Sequence, residues 1–200
     1  MKSSEIAGTL ERLRSGNARF ASHGRSTFLL TATERSEQAL RQDPCAIILG
    51  CSDARVPAEL IFDQGPGDLF VIRVAGNIVA PSQIGSVEFA AVKFGTPLVV
   101  VVGHTGCGAI AATLDFLKDP SSPGSRNLHS IIDRVRPSVE SLSGLSGEAL
   151  AREAVRANVR QSVEQLRHGS EIIEGLMQRG ELRIVGAEYS LETGVVDFFD

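Results

Sequence analysis

Three short runs of unbroken apolar residues, Cys45-Ala-Ile-Ile-Leu-Gly50, Leu69-Phe-Val-Ile72 and Leu98-Val-Val-Val-Val-Gly103, constrain this chain more than any other feature. None alternates polar with apolar residues, so none has a side suited to water. Such runs fit parallel strands covered on both faces. A fourth run, Leu182 to Tyr189, lies near the end of the chain, and a final strand and turn follow it.

Stretches with helical spacing separate these runs. From Ser4 to Phe20 the apolar positions Ile6, Leu10, Leu13 and Phe20 fall on one side of a cylinder, with Glu11, Arg12 and Arg14 elsewhere, which predicts an amphipathic helix. Further helices are predicted over Ala32–Arg41, stopping near Asp43-Pro44 because proline disfavours helix in the residue before it, and over Ile84–Phe94. One more begins near Cys107 and ends before Asp119-Pro120, and others cover Leu128–Val139, Glu148–Leu166 and Glu171–Gln178. The stretch Asp119 to Arg126 reads as a surface loop. Strands alternating with helices predict an α/β fold with a mostly parallel central sheet flanked by helices. One domain is expected over residues 1–200, with residues 1–43 as an N-terminal helical arm.

Charge and cysteine usage exclude several classes of function. The net charge is -4, from 20 Lys+Arg against 24 Asp+Glu, and the basic residues are scattered. Nucleic acid is therefore not the expected partner. No apolar run approaches about 18 residues, so no membrane span is expected, and Glu5 falls where a signal peptide would be apolar. The expectation is a soluble cytoplasmic protein. The three cysteines, Cys45, Cys51 and Cys107, form no C-x-x-C pair; metal binding or catalysis fits them better than a disulfide. Cys45 sits inside a predicted strand, where a free cysteine acts as a small hydrophobe.

Two segments carry the chemistry: Cys51-Ser-Asp53-Ala-Arg55 directly after one predicted strand, and His104-Thr-Gly-Cys107-Gly108 directly after another. Carboxyl ends of strands line the ligand-binding crevice of open α/β sheets, so residues some fifty positions apart can converge there. Two thiolates and an imidazole suit Zn²⁺, and three protein ligands leave a fourth position for water. The H-x-x-C spacing lets His104 and Cys107 reach one ion. Cys107 also stands at a predicted helix start, whose partial positive charge favours thiolate. Two thiolates formally neutralise Zn²⁺, so the bound water needs further help. Asp53, kept ionised by Arg55, either assists that water or binds zinc directly and fills the fourth position.

Cys51-x-Asp53-x-Arg55 followed by His104-x-x-Cys107-Gly108 resembles the signature of β-class carbonic anhydrases. The resemblance runs on through Val56–Glu59, Gly67–Arg73, Ala75–Asn77, Asn158-Val159 and Gly186–Gly194, nearly the whole chain. It implies zinc held by Cys51, His104 and Cys107, an Asp53–Arg55 pair that aids catalysis or lends its carboxylate to zinc, and reversible hydration of carbon dioxide by a zinc-bound hydroxide. It further implies that Gln42 hydrogen-bonds substrate, that Phe70 lines an apolar pocket, and that the chain works as a homodimer or homotetramer embraced by its N-terminal helices. Two positions depart from the family pattern. Ile48 stands where a bicarbonate-inhibited branch carries tryptophan, and no pocket tyrosine is found around Ser82-Gln83.

The other readings are carbonyl sulfide or carbon disulfide hydrolysis on the same scaffold, a non-catalytic zinc protein closed by Asp53, and a thiol redox protein. Gly103-x-x-Gly106-x-Gly108 matches neither a dinucleotide fingerprint nor a P-loop. His23, His129 and His168 lack partners at ligand spacing.

Overall fold

A computed structural model describes residues 2–24, 26, 30–119, 125–142 and 144–199. Five strands form one sheet in the order β2-β1-β3-β4-β5. They are β1 (Ala46–Gly50), β2 (Leu69–Arg73), β3 (Leu98–His104), β4 (Arg183–Tyr189) and β5 (Val196–Phe199). The first four run parallel, and β5 pairs with β4 in the opposite sense. The expected mostly parallel α/β architecture is therefore the observed one.

The helices are α1 (Lys2–Ala21), α2 (Ala32–Gln38), α3 (Ala58–Ile61), α4 (Pro81–Lys93), α5 (Gly108–Lys118), α6 (Arg126–Val139), α7 (Gly147–His168) and α8 (Glu171–Gln178). Successive strand side chains point to opposite faces, and the apolar runs divide accordingly. Ile48, Val100 and Val102 face α1 and α3 through Ile6, Leu10, Leu13 and Ile61. Ile47, Leu49, Val99 and Val101 face α4, α7 and α8 through Val87, Val159, Val163, Leu166 and Ile173. Every residue of β1 and β3 is buried. Each fully buried aliphatic side chain contributes on the order of 1.5–3 kcal/mol over its exposed state, so these two central strands are the most strongly held. The run in β2 differs from expectation: it lies at the sheet edge, and Leu69, Phe70 and Val71 are only half covered.

Helix α2 ends three residues before the expected Arg41. A capping box of Thr31 and Glu34 starts it, but none of its side chains is buried, so no packing extends it towards Pro44. The expected loop at Asp119 to Arg126 lies mostly outside the described residues. Helix α1 is tied down by Asn17, whose amide donates to the Ile61 and Gly194 carbonyls at 3.2 and 2.8 Å and whose Oδ1 accepts the Val196 N–H at 2.8 Å.

The site is placed by the sheet order. After β1 the chain moves to β2 on one side, whereas β3 leads to β4 on the other. The crevice between the carboxyl ends of β1 and β3 is thus a topological switch point. Residues Gly50 and Val102 are register partners at its floor.

Candidate metal centre

Cys51 directly follows β1, His104 is the last residue of β3, and Cys107 caps the start of α5. The ligand atoms of these three buried residues all lie within 4.8 Å of one another. Among the described residues this is the group of potential metal ligands that converges.

His104 is fully buried. Its Nδ1 lies 2.9 Å from the Thr105 carbonyl oxygen, and since a carbonyl only accepts, Nδ1 carries the proton in the neutral ring. That leaves the Nε2 lone pair turned towards the cysteines, where it is buried with no hydrogen-bond partner. An orphaned buried nitrogen is costly. The Cys51 sulfur accepts the Gly76 N–H at 3.4 Å. Gly76 adopts a left-handed φ of 70°, and the Asn158 amide of α7 donates to its carbonyl at 2.8 Å.

The two sulfurs lie within 4.8 Å of each other, close enough to share a proton when no metal is bound. The Cys107 thiol beside it and the Gly76 N–H favour the Cys51 thiolate against burial and lower the Cys51 thiol well below the ordinary thiol range. Cys107 is pushed up because it hydrogen-bonds to Cys51, because it is buried, and because the Cys51 thiolate stands beside it. Burial resists protonation of His104, yet its interactions with Cys51, the Thr105 carbonyl and Asp53 raise its affinity for a proton. A buried thiolate, a second thiol that ionises only with a cation nearby, and an unpartnered imidazole nitrogen are a donor set that fits Zn²⁺.

Asp53 stands at the rim. Its Oδ1 accepts from the Arg55 backbone N–H and Nε at 2.9 Å each, and its Oδ2 accepts from Nη2 at 2.8 Å. These bonds, the Arg55 side chain foremost, hold the carboxyl well below the usual carboxylate range against the opposing effect of burial. Oδ2 is also 3.9 Å from His104 Nε2, so the carboxylate overlooks the ligand cluster. The loop carrying it is fastened by Arg73, whose Nε donates to the Cys51 carbonyl at 3.0 Å and whose Nη2 donates to the Asp53 carbonyl at 2.6 Å. Sequence reasoning gave Arg73 no separate role; its signal was a lone cation directly after an apolar run.

Gln42 and Phe70 lie elsewhere in the chain. Gln42 is exposed and precedes the amino end of β1, whereas Cys51 follows its carboxyl end. Phe70 pairs with Ile47 in register, and its ring lies 6.2 Å from those of Phe89 and Phe94. Cys45 is half-buried beside the α1 face of the sheet. His168 sits near Glu164 and Glu174, and His129 packs its ring on Phe116.

The family model described as carbonic anhydrase matches residues 46–196. A carbonic anhydrase 2 of Mycobacterium tuberculosis is 38% identical over 182 residues, covering 91% of this chain and 87% of that protein. A carbonic anhydrase of Mycolicibacterium smegmatis is 37% identical over 198 residues, covering 98% and 95%. Among solved structures, a Coccomyxa β-carbonic anhydrase in complex with acetazolamide superposes with a TM-score of 0.74 at 28% identity, covering 96% of this chain and 85% of that one.

Proposed function

The chain belongs to the carbonic anhydrases of the β class, and on that footing we propose that it interconverts carbon dioxide and water with bicarbonate and a proton. The observation that carries the reading is the convergence of Cys51, His104 and Cys107 from the ends of two adjacent strands. Bound to those three side chains, Zn²⁺ would supply the Lewis acidity that makes hydroxide available near neutral pH, a behaviour for which carbonic anhydrase is itself the standard example.

The remaining roles fall to the chain. Asp53, ionised because Arg55 engages both its oxygens, accepts a hydrogen bond from the attacking oxygen and turns a lone pair of that oxygen towards the carbon of the substrate. Arg73 keeps Asp53 at that height by holding its backbone carbonyl. Direct binding of zinc by Asp53, the other role open to it, requires the carboxylate to leave Arg55. We assign the Arg55-bound arrangement to the working state.

Gln42 and Phe70 enter the substrate pocket only if a second copy brings them, because one chain keeps both away from Cys51. Assembly as a homodimer or homotetramer is consistent with the edge position of β2 and with the exposed Phe89 and Val92 on α4. Among the described residues no helix is long and apolar enough to cross a membrane. We assign the protein to the cytoplasm because its three unpaired cysteines suit a reducing compartment.

The test is stopped-flow hydration of carbon dioxide by zinc-loaded and metal-free protein, repeated with carbonyl sulfide as competitor. Activity that follows zinc content and is unaffected by carbonyl sulfide is expected. Stoichiometric zinc without hydration at any pH would leave a structural zinc protein instead.

A further inference from the structure

The residue after the histidine ligand is fastened at every polar atom, and the fastening comes from the far end of the chain. The Thr105 carbonyl lies on His104 Nδ1 at 2.9 Å. Its N–H donates to the Tyr189 carbonyl at 3.0 Å. Its hydroxyl donates to Glu192 Oε2 at 2.9 Å and accepts the Leu191 N–H at 3.0 Å. A hydroxyl has one proton to give, so the Glu192 carboxylate determines its direction and leaves the lone pairs free for Leu191.

Glu192 is itself held. The Ser190 hydroxyl donates to the same Oε2 at 3.0 Å, and Ser190 Oγ accepts the Thr193 N–H at 3.1 Å. The turn is closed by Gly194 N–H donating to the Ser190 carbonyl and Ser190 N–H donating to that of Val195, both at 2.9 Å. Within this turn the carboxylate points inwards to Thr105, although it is exposed to solvent. The bond from Thr105 holds the Glu192 carboxyl below its usual range, with a smaller contribution from the Arg55 charge.

We propose that Glu192 is a positioning residue for the metal centre: by fixing the Thr105 hydroxyl it holds the Thr105 carbonyl on His104 Nδ1–H, and so keeps Nε2 presented to the two cysteines. Outer partners that orient a histidine ligand commonly change metal affinity about 10–100-fold when removed. Glu192 acts one residue further out, so an effect at the lower end is expected.

The proposal rests on reading Cys51, His104 and Cys107 as the zinc ligands, and two separate readouts keep the failures apart. The first is the tautomer of neutral His104 in metal-free protein, observed by nitrogen-15 NMR. The second is zinc affinity by chelator competition. Wild type is expected to show a single Nδ1–H tautomer and to bind zinc. In Glu192→Ala and Thr105→Val the tautomers are expected to mix and zinc to bind about tenfold more weakly. Glu192→Gln, whose side-chain oxygen still accepts the Thr105 proton, is expected to restore both. Thr105→Val tests the same link by removing only the hydroxyl should Glu192→Ala disturb the fold. Wild type that binds no zinc would sink the site assignment, whatever the tautomer. Zinc-binding wild type with unchanged tautomer and affinity in Glu192→Ala and Thr105→Val would overturn the role of Glu192. Loss in Glu192→Ala that Glu192→Gln fails to restore would also overturn it, and would point to the charge of Glu192 acting on Arg55.

Discussion

Arg55 engages Asp53 through three hydrogen bonds, two to Oδ1 and one to Oδ2, although its own side chain is 60% exposed. An exposed ion pair of this kind adds little stability, so its value lies in aiming the carboxylate. Asp53→Asn is expected to retain zinc and the fold while carbon dioxide hydration falls about 100-fold. Full activity with zinc retained would remove Asp53 from the reaction. Because the native carboxyl titrates below its ordinary range, its protonation should not be what limits activity on mild acidification.

Metal removal exposes a second relation. With zinc absent, one thiolate should persist well below the ordinary thiol range, held at Cys51 by the Cys107 thiol. Thiolate absorbance in the ultraviolet should therefore survive at neutral pH, and Cys107→Ala, which removes the first donor, should move the Cys51 titration upwards. An unchanged titration in that variant would contradict the shared proton.

Helix α1 crosses the loop after α3 at Gly16. A Cβ built there would lie 1.9 Å from the Phe62 carbonyl oxygen, and backbone cannot step aside as a flexible side chain can. Alanine is the better helix former by about 1 kcal/mol, but overpacking against main chain costs about 1–3 kcal/mol. Gly16→Ala should therefore be destabilising, read as a lower urea midpoint with an unchanged slope.

Acid should loosen the same region. Burial resists ionisation of Asp63, but Arg19 and the N–H and hydroxyl of Ser26 outweigh it and lower its pKa. Since the native value lies below the unfolded one, near 3.9, the contribution is complete above that value and is lost as the pH falls through the native one. Asp63→Asn should be less stable than wild type at neutral pH and should lose less stability on acidification. Urea titrations at about pH 7 and at a series of lower pH values below the unfolded value of about 3.9 would read this difference.

The central strands and the ligand cluster were legible because their signals are local. The runs Ile47–Leu49 and Leu98–Val102 are too uniformly apolar for a surface, and Cys51 and His104 follow them after a single glycine each. Helix α3 was missed: four residues make a single turn, too short for any periodicity. The turn at Ala75–Asn77, whose Gly76 N–H faces Cys51, depends on left-handed backbone that composition does not reveal. Arg73, Thr105 and Glu192 act through contacts 20 to 87 residues away in the chain, which only the folded arrangement brings together. The half-covered state of β2 was also hidden, because an edge strand and a central one carry the same apolar run.

The proposed reaction depends on which atoms hold the metal. X-ray absorption at the zinc edge, on protein loaded with one zinc per chain, should give two sulfurs at about 2.3 Å and one imidazole nitrogen at about 2.0–2.1 Å, with one sulfur lost in Cys51→Ser or Cys107→Ser. A shell of nitrogen and oxygen alone, or one unchanged in those variants, would contradict it.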